Sequence, residues 1–126
     1  SWQNIWILDS GAMDHIVCSP DLLLNSKPVE NHTIELPNGS FAKVTHIGQI
    51  IFSPNLILDN VLCVPPFRLN LISISKLAYD SLYITIFLNH FCVIQDLRSG
   101  KMIGMGSERK GLYYLDPPKK GTCNHV

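Results

Sequence analysis

Short apolar runs rich in β-branched residues recur along this chain, each bounded by Pro, Asn, Gly or Asp. Runs of this kind with such boundaries are typical of β-strands joined by turns. The predicted strands cover residues 5–8, 15–18, 32–36, 41–52, 55–64, 83–88, 91–95, 101–105 and 111–115. Only residues 70–78 place apolar side chains at helical spacing, with Asn70 as the predicted N-cap. The sequence therefore predicts an all-β fold with one short helix.

The strongest turn signal is the tetrapeptide Pro37-Asn38-Gly39-Ser40, which lies between two predicted strands. An Asn-Gly pair favours a tight hairpin because both residues tolerate positive φ. We therefore expect a mobile hairpin with a polar tip at these four residues.

Composition is typical of a well-packed single domain and argues against several classes of partner. The chain has 126 residues, close to the commonest domain size, and 46% of them are hydrophobic. Ten basic residues balance ten acidic ones, so no net charge attracts the chain to nucleic acid or to an anionic membrane. The longest apolar stretch, residues 50–64, is interrupted by polar residues, so no transmembrane helix is expected.

The four cysteines, Cys18, Cys63, Cys92 and Cys123, are far apart in the sequence. Their spacing contains no C-x-x-C pair and does not match a disulfide-dense secreted domain. We expect reduced, mostly buried thiols. No second pair of ligands stands at metal-binding spacing, so neither a metal site nor a cofactor is predicted.

The segment that most clearly suggests a chemical function is the apolar strand that runs directly into Asp9-Ser10-Gly11. A carboxylate at the end of a buried strand costs desolvation energy unless its charge is shared or hydrogen-bonded, so such a position often has a function. The same three residues also suit an ordinary turn after a strand, in which Asp and Ser bond local amides. On the residues alone, both interpretations stay open.

A longer series of motifs favours the functional interpretation of Asp9-Ser10-Gly11. The chain resembles the Pol polyproteins of plant copia-type LTR retrotransposons in a run of landmarks that occur in the same order. They are residues 6–12, 14–15, 36–40, 47–48, 61–65, 69–77, 93–96 and 111–115. The resemblance covers roughly residues 6 to 116, and it implies a retropepsin-like aspartic protease with a closed β-barrel.

In such proteases two Asp-Ser/Thr-Gly loops meet at a dimer axis, and this chain contains one such loop. The resemblance implies a homodimer in which Asp9 is the catalytic acid or base. Ser10 would brace the paired loops, Gly11 would allow their close approach, and Ala12 would pack beside the site. The hairpin at residues 37–40 would be the flap over the substrate. The reaction needs water and no cofactor.

The resemblance also implies the substrate, the location and the domain limits. The substrates would be extended peptide segments of the chain's own polyprotein, cut in the cytoplasm within virus-like particles. Residues 1–104 are the expected protease domain, and residues 105–126 are a C-terminal strand and tail that can begin the pre-integrase region. The main alternative is a catalytically dead or co-opted barrel that binds peptides or other partners without cutting them.

The sequence also gives expectations for Ser73 and His15. Leu71-Ile72-Ser73 stands where retropepsins have an apolar-apolar-Gly step beneath the active-site loop, so the loop must leave space for the hydroxymethyl group of Ser73. His15 is expected to be a packed or hydrogen-bonded residue and not a catalytic base, because the mechanism does not need one.

Overall fold

Twelve strands and one α-helix make up residues 5–117, the part of the chain that the structure, a computed structural model, describes. The elements are β1 (Trp6–Asp9), β2 (Ile16–Val17), β3 (Leu24–Pro28), β4 (Thr33–Glu35), β5 (Phe41–Lys43), β6 (His46–Ser53), β7 (Leu56–Cys63), β8 (Asn70–Ser73), α1 (Ile74–Ser81), β9 (Tyr83–Phe87), β10 (Phe91–Asp96), β11 (Met102–Arg109) and β12 (Leu112–Leu115). The predominance of strands with one short helix confirms the predicted secondary-structure class.

Ten of the strands form one sheet, in the order β3-β6-β7-β2-β8-β1-β12-β11-β10-β9, while β4 and β5 form a separate hairpin. A closed barrel requires the two outer strands to pair with each other. Among the described residues, β3 and β9 are outer strands with a partner on one side only. The predicted closed barrel is therefore not observed. The pairing of β3 is irregular between Leu24 and Lys27 and ends at Pro28, which lacks a backbone donor, so this strand is a poor partner for closure.

The central strands of the sheet determine the position of the Asp9 loop. Strand β8 lies between β1 and β2, parallel to β1 and antiparallel to β2, and Asp9 is paired in register with Ser73. The loop that joins β1 to β2 must therefore pass over the end of β8. This arrangement brings Asp9 and the start of α1 to the same place.

Two groups of buried side chains fill the interior. The larger group packs α1 against the sheet and contains the fully buried Leu58, Ile72, Leu77 and Ile94. The smaller group lies beneath the β4–β5 hairpin and contains Ala42, Val44 and Val64, with partly buried side chains packed against it. The hairpin is thus anchored at its base by apolar contacts.

The helix begins later than the sequence predicts. Residues 70–73 form β8, Ser73 is the N-cap, and α1 ends where Leu82 takes the left-handed conformation. The predicted cap, Asn70, lies in the sheet instead, where its Oδ1 accepts a hydrogen bond from the Cys18 amide and its Nδ2 donates to the Ile5 carbonyl. This buried amide side chain bonds two backbone groups, one just before β1 and one just after β2, so it satisfies two buried polar groups in the sheet instead of capping a helix.

Two other strand predictions need correction. Strand β3 was not predicted, because all five of its residues are exposed and lack the apolar pattern of a half-buried strand. The single strand predicted over residues 41–52 is two strands, because β5 pairs with β4 whereas β6 pairs with β3 and β7.

The C-terminal strands belong to the same sheet as Asp9. Strand β12 pairs with β1, with Ile7 opposite Tyr114, and β11 extends to Arg109. The predicted division between residues 104 and 105 falls inside β11, and the position of the mature protease end stays a prediction. The predicted loose tail and Cys123 lie outside the described residues, apart from residues 116–117. Within residues 5–117, no helix has the length and apolar character needed to span a membrane.

Candidate active site

Asp9 is the last residue of β1 and is half-buried, whereas Ser10 and Gly11 are exposed. The strand is buried up to Leu8 because its apolar side chains pack into the core, and the chain then turns. One carboxylate oxygen of Asp9, Oδ1, accepts a hydrogen bond of 2.8 Å from the Gly11 amide. The strand therefore delivers a fixed carboxylate to the surface, with the next two residues accessible to a partner.

Ser73 ties this loop to the helix. Its side chain is completely buried, and its hydroxyl donates a 2.7 Å hydrogen bond to the Ala12 carbonyl. The same oxygen accepts a hydrogen bond of 3.1 Å from the Lys76 amide in the first turn of α1. The space expected for the hydroxymethyl group is present, and the group also makes hydrogen bonds that glycine lacks. The sequence located Ser73 without indicating this connecting role.

His15 is the second support of the loop. Its ring is buried, and Nδ1 accepts a 3.0 Å hydrogen bond from the Ser73 amide, which requires the neutral ring to carry its proton on Nε2. Burial, and secondly the positive charge of Lys76, lower the pKa of His15 to about 4. His15 is therefore neutral near pH 7. This agrees with the expected structural role.

A groove of about 560 Å³ opens beside Asp9 beneath the β4–β5 hairpin. Its residues come from the end of β1, the start of β2 and the loop between them, from β4 and the turn after it, and from β8 and the segment before it. They are Asp9, Gly11, Ala12, Met13, Asp14, Ile16, Ile34, Glu35, Leu36, Pro37, Phe67 and Leu71. Most of this lining is apolar. Sequence reasoning gave no functional role to Asp14, although residues 14–15 are a landmark of the resemblance, and no pattern pointed to Glu35 or Phe67.

The tip of this hairpin has the predicted turn chemistry. Gly39 has a φ of +86°, and the Leu36 amide donates to the Ser40 carbonyl at 2.7 Å. Asn38 Oδ1 accepts from the Ser40 amide at 2.9 Å. Of the four predicted flap residues, Pro37 lines the groove, and the other three lie at the exposed tip. The hairpin itself is confirmed, and its action as a flap stays a prediction.

A second groove, of about 490 Å³, is also lined by Asp9. It is lined by Asp9 and Ser10 and by apolar side chains from three more segments. These are Ile7, Leu8, Leu69, Leu71, Ile74, Phe87, Leu112 and Tyr113, with the backbone of Gly111. Asp9 and Leu71 therefore line both grooves.

Within residues 5–117, no three His, Cys, Asp or Glu side chains are grouped closely enough to hold a metal ion. Cys18, Cys63 and Cys92 are buried and form no disulfide. Burial raises the pKa of the Cys63 and Cys92 thiols above the ordinary value, so both are protonated near pH 7.

Comparison with known proteins relates this chain to transposon polyproteins. Residues 6–82 match the family described as "Pol polyprotein, beta-barrel domain". The chain is 31% identical over 114 residues to the Retrovirus-related Pol polyprotein from transposon RE2 of Arabidopsis thaliana. The matched region is 87% of this chain and 8% of that protein. It is 33% identical over 91 residues to the Retrovirus-related Pol polyprotein from transposon TNT 1-94 of Nicotiana tabacum, covering 69% of this chain and 7% of the relative. The chain thus spans less than a tenth of either relative. No solved structure matches it.

Proposed function

This chain belongs to the family of Pol polyprotein β-barrel domains and is a retrotransposon-derived segment, and from that premise we propose that it is an aspartic endopeptidase that processes its own polyprotein. The observation that carries the proposal is the position of Asp9. Its carboxylate is fixed at the end of a buried strand and opens onto a peptide-sized groove beneath a hairpin. Membership of the family supports the polyprotein as the substrate, and the geometry around Asp9 supports this carboxylate as the site.

The chemistry requires two carboxylates. One must take a proton from the attacking water while the other, protonated, polarises the scissile carbonyl. Two such groups close together share one proton, because both cannot stay ionised at short range. The chain has one Asp-Ser-Gly sequence, so the second carboxylate would be Asp9 of another copy. Exposed Ser10 and Gly11 leave the loop accessible for that approach, and Gly11 has no side chain to obstruct it.

The groove suits an extended peptide. Its apolar lining from Ile34, Leu36 and Phe67 would receive alternate side chains of a strand-like segment. The β4–β5 hairpin would close over the segment and exclude water from the reacting bond. Substrates of this kind are segments of the polyprotein around the chain, and we propose that they are cut in the cytoplasm, within virus-like particles. Water would be the only co-reactant, without a cofactor.

A second candidate is a module that binds peptides without cutting them. The observation in its favour is that the groove beneath the hairpin is complete within one chain, whereas the proposed carboxylate pair is not. The two functions differ in what they require of Asp9, because binding tolerates loss of the charge and hydrolysis does not.

The experiment compares Asp9→Asn with Asp59→Asn in the polyprotein that contains this chain. Asn keeps the shape of Asp and removes its titrating proton. Asp59 is a matched control, since it lies on β7 and its Oδ1 accepts from Gln49 Nε2, an acceptor role that Asn retains. We expect precursor cleavage, followed by mass spectrometry, to stop for Asp9→Asn alone.

Two other results would be informative. Cleavage by Asp9→Asn at the parent rate would remove the catalytic assignment. Peptide binding that survives in Asp9→Asn, with no cleavage by either the variant or the parent, would favour the binding module. Asp14→Asn and Glu35→Gln test whether a carboxylate of the same groove serves as the second group, and we expect both variants to cleave.

A further inference from the structure

At the tip of the β4–β5 hairpin, the side chain of Asn38 is bent back over the next peptide group. Asn38 Oδ1 accepts a hydrogen bond from the Ser40 amide at 2.9 Å, and the ring that this bond closes contains the Gly39 nitrogen. The side-chain carbonyl carbon of Asn38, Cγ, is therefore held near that nitrogen. A nucleophilic atom held near the carbon that it attacks reacts faster than one that must first find it.

The residue that follows Asn38 leaves this attack unhindered. Asn38 is the one asparagine of the sequence that precedes a glycine. Gly39 has no Cβ beside its own nitrogen, and no atom lies within 4 Å of the place where a Cβ would be. Residues 37–40 are all exposed, so water reaches the groups that would react. These features distinguish Asn38 from the other asparagines of the chain.

The side-chain oxygen of Asn38 also has a second hydrogen-bond donor. The Ser40 hydroxyl donates to Oδ1 at 2.6 Å, in addition to the Ser40 amide. When the Gly39 nitrogen attacks Cγ, negative charge develops on this oxygen. Donors that already point at such an oxygen lower the barrier, because their hydrogen bonds strengthen as the charge forms. Ser40 therefore favours the attack through both its amide and its hydroxyl.

We propose that Asn38 is a site of spontaneous deamidation and that Ser40 accelerates the reaction. Hydroxide removes the proton of the Gly39 amide, and the nitrogen forms a bond to Asn38 Cγ. The bond from Cγ to Nδ2 then breaks, and Nδ2 takes a proton from water and leaves as ammonia. Water opens the remaining succinimide ring at either carbonyl, which breaks one of the two bonds to the Gly39 nitrogen. The products are aspartate and isoaspartate, and the net reaction consumes water and releases ammonia.

A hydrogen bond of the turn opposes the reaction. The Gly39 amide donates to the Leu36 carbonyl at 2.9 Å, and this amide must be released before its nitrogen can lose the proton and attack. The bonds from Ser40 to Asn38 Oδ1 do not involve this amide, so they can persist when it is released. Deamidation in the folded protein therefore requires a local opening of the turn, and not unfolding of the hairpin.

The two products change the hairpin in different ways. Aspartate keeps the acceptor oxygen for Ser40 and adds negative charge near a groove that Asp9, Asp14 and Glu35 already line. Isoaspartate carries the main chain through the former side chain, which lengthens the turn that Leu36 and Ser40 close. Under the proposed function, both products would alter the flap, so cleavage activity would fall as the protein ages. The modification itself does not rest on the proposed function.

The test follows the conversion of Asn38 at neutral pH by peptide mass spectrometry, in the folded full chain and in urea. Ser40→Ala removes the hydroxyl and keeps the amide, whereas Ser40→Thr keeps both donors. In the folded protein we expect Ser40→Ala to react about fivefold more slowly than the parent, which is the effect of one net hydrogen bond on a rate. Folded Ser40→Thr should react at nearly the parent rate. In urea, where these hydrogen bonds are lost, all three proteins should react alike.

Asn25 is the internal control in every sample, because it is exposed and precedes the small residue Ser26. It should remain an amide while Asn38 converts, and equal conversion of the two asparagines would overturn the assignment of the site. An Asn38 that stays intact in the folded parent but converts in urea would overturn it as well. Equal rates for the folded parent and folded Ser40→Ala would refute the role of the hydroxyl. So would a Ser40→Ala that is slower by the same factor in urea, since the effect would then come from the local sequence.

Discussion

Acid should destabilise this protein through His15 by an amount that the structure specifies. The buried ring is neutral, and its pKa is lowered from 6.5 to about 4, mainly by burial and then by Lys76, with smaller opposing effects of Asp80 and Asp59. As the pH falls below 6.5, the unfolded chain takes up a proton that the folded chain does not. The stability conferred by neutral His15 is therefore complete above pH 6.5 and is lost progressively as the pH falls through 4.

The size of the loss follows from the two pKa values. At about 1.4 kcal/mol for each pH unit, the lowering of the pKa from 6.5 to about 4 corresponds to about 3 kcal/mol, most of which is lost between pH 7 and pH 4.5. This is a large fraction of the 5–15 kcal/mol typical of a domain. Many carboxylates titrate over the same range, so a variant must isolate the contribution of His15.

His15→Asn is that variant, because its side-chain oxygen can accept from the Ser73 amide and has no proton to gain. Urea unfolding followed by the fluorescence of buried Trp6 gives the free energy of unfolding at each pH, at a fixed chain concentration. Between pH 7 and pH 4.5 the parent should lose about 2 kcal/mol more than the variant. Parallel losses in the two proteins would refute the buried, neutral imidazole.

Three further predictions concern the loop, the hairpin and the dimer. Ser73→Ala should cost about 1–3 kcal/mol in urea unfolding by removing the helix cap and the bond to Ala12, whereas Ser75→Ala should cost much less. Gly39→Val should lower kcat/KM, because valine strains a backbone with a φ of +86°. Gly100→Val introduces similar strain at a distant turn and should leave kcat/KM unchanged. The same kcat/KM for the two variants would place the flap elsewhere. The cleavage rate per chain should follow a bell-shaped, acid-leaning pH profile and should fall on dilution, whereas a tandem-linked dimer should keep its rate on dilution. A cleavage rate per chain that stays constant where sedimentation detects only monomers would refute the shared site.

Local patterns in the sequence predicted the parts of the fold that depend on local chemistry. The β4–β5 turn follows from Asn38-Gly39, and the end of β1 follows from an apolar run that meets Asp9. Both features need only the residues beside them, because turn preference and strand alternation act over a few positions.

The features that sequence reasoning missed depend on contacts between distant segments. Asn70 has the chemistry of a helix cap, but its amide bonds the backbone of Ile5 and Cys18, which lie next to two other strands, and Ser73 takes the cap position. The exposed residues of β3 form a strand because β6 offers backbone partners. The open sheet also depends on how strand edges meet, which no local pattern records. For the same reason, Asp14 and Glu35 were not recognised as lining the groove.

The pairing of β1 with β12 affects when the Asp9 strand can be completed during synthesis. Ile7 is opposite Tyr114, a separation of 114 − 7 = 107 residues along the chain. At about 5–20 residues per second, the ribosome needs roughly 5–20 s to reach the second strand after making the first. During that interval one side of the Asp9 strand has no neighbour. The sheet on this side of Asp9 therefore cannot be completed in the nascent chain until translation has passed residue 115.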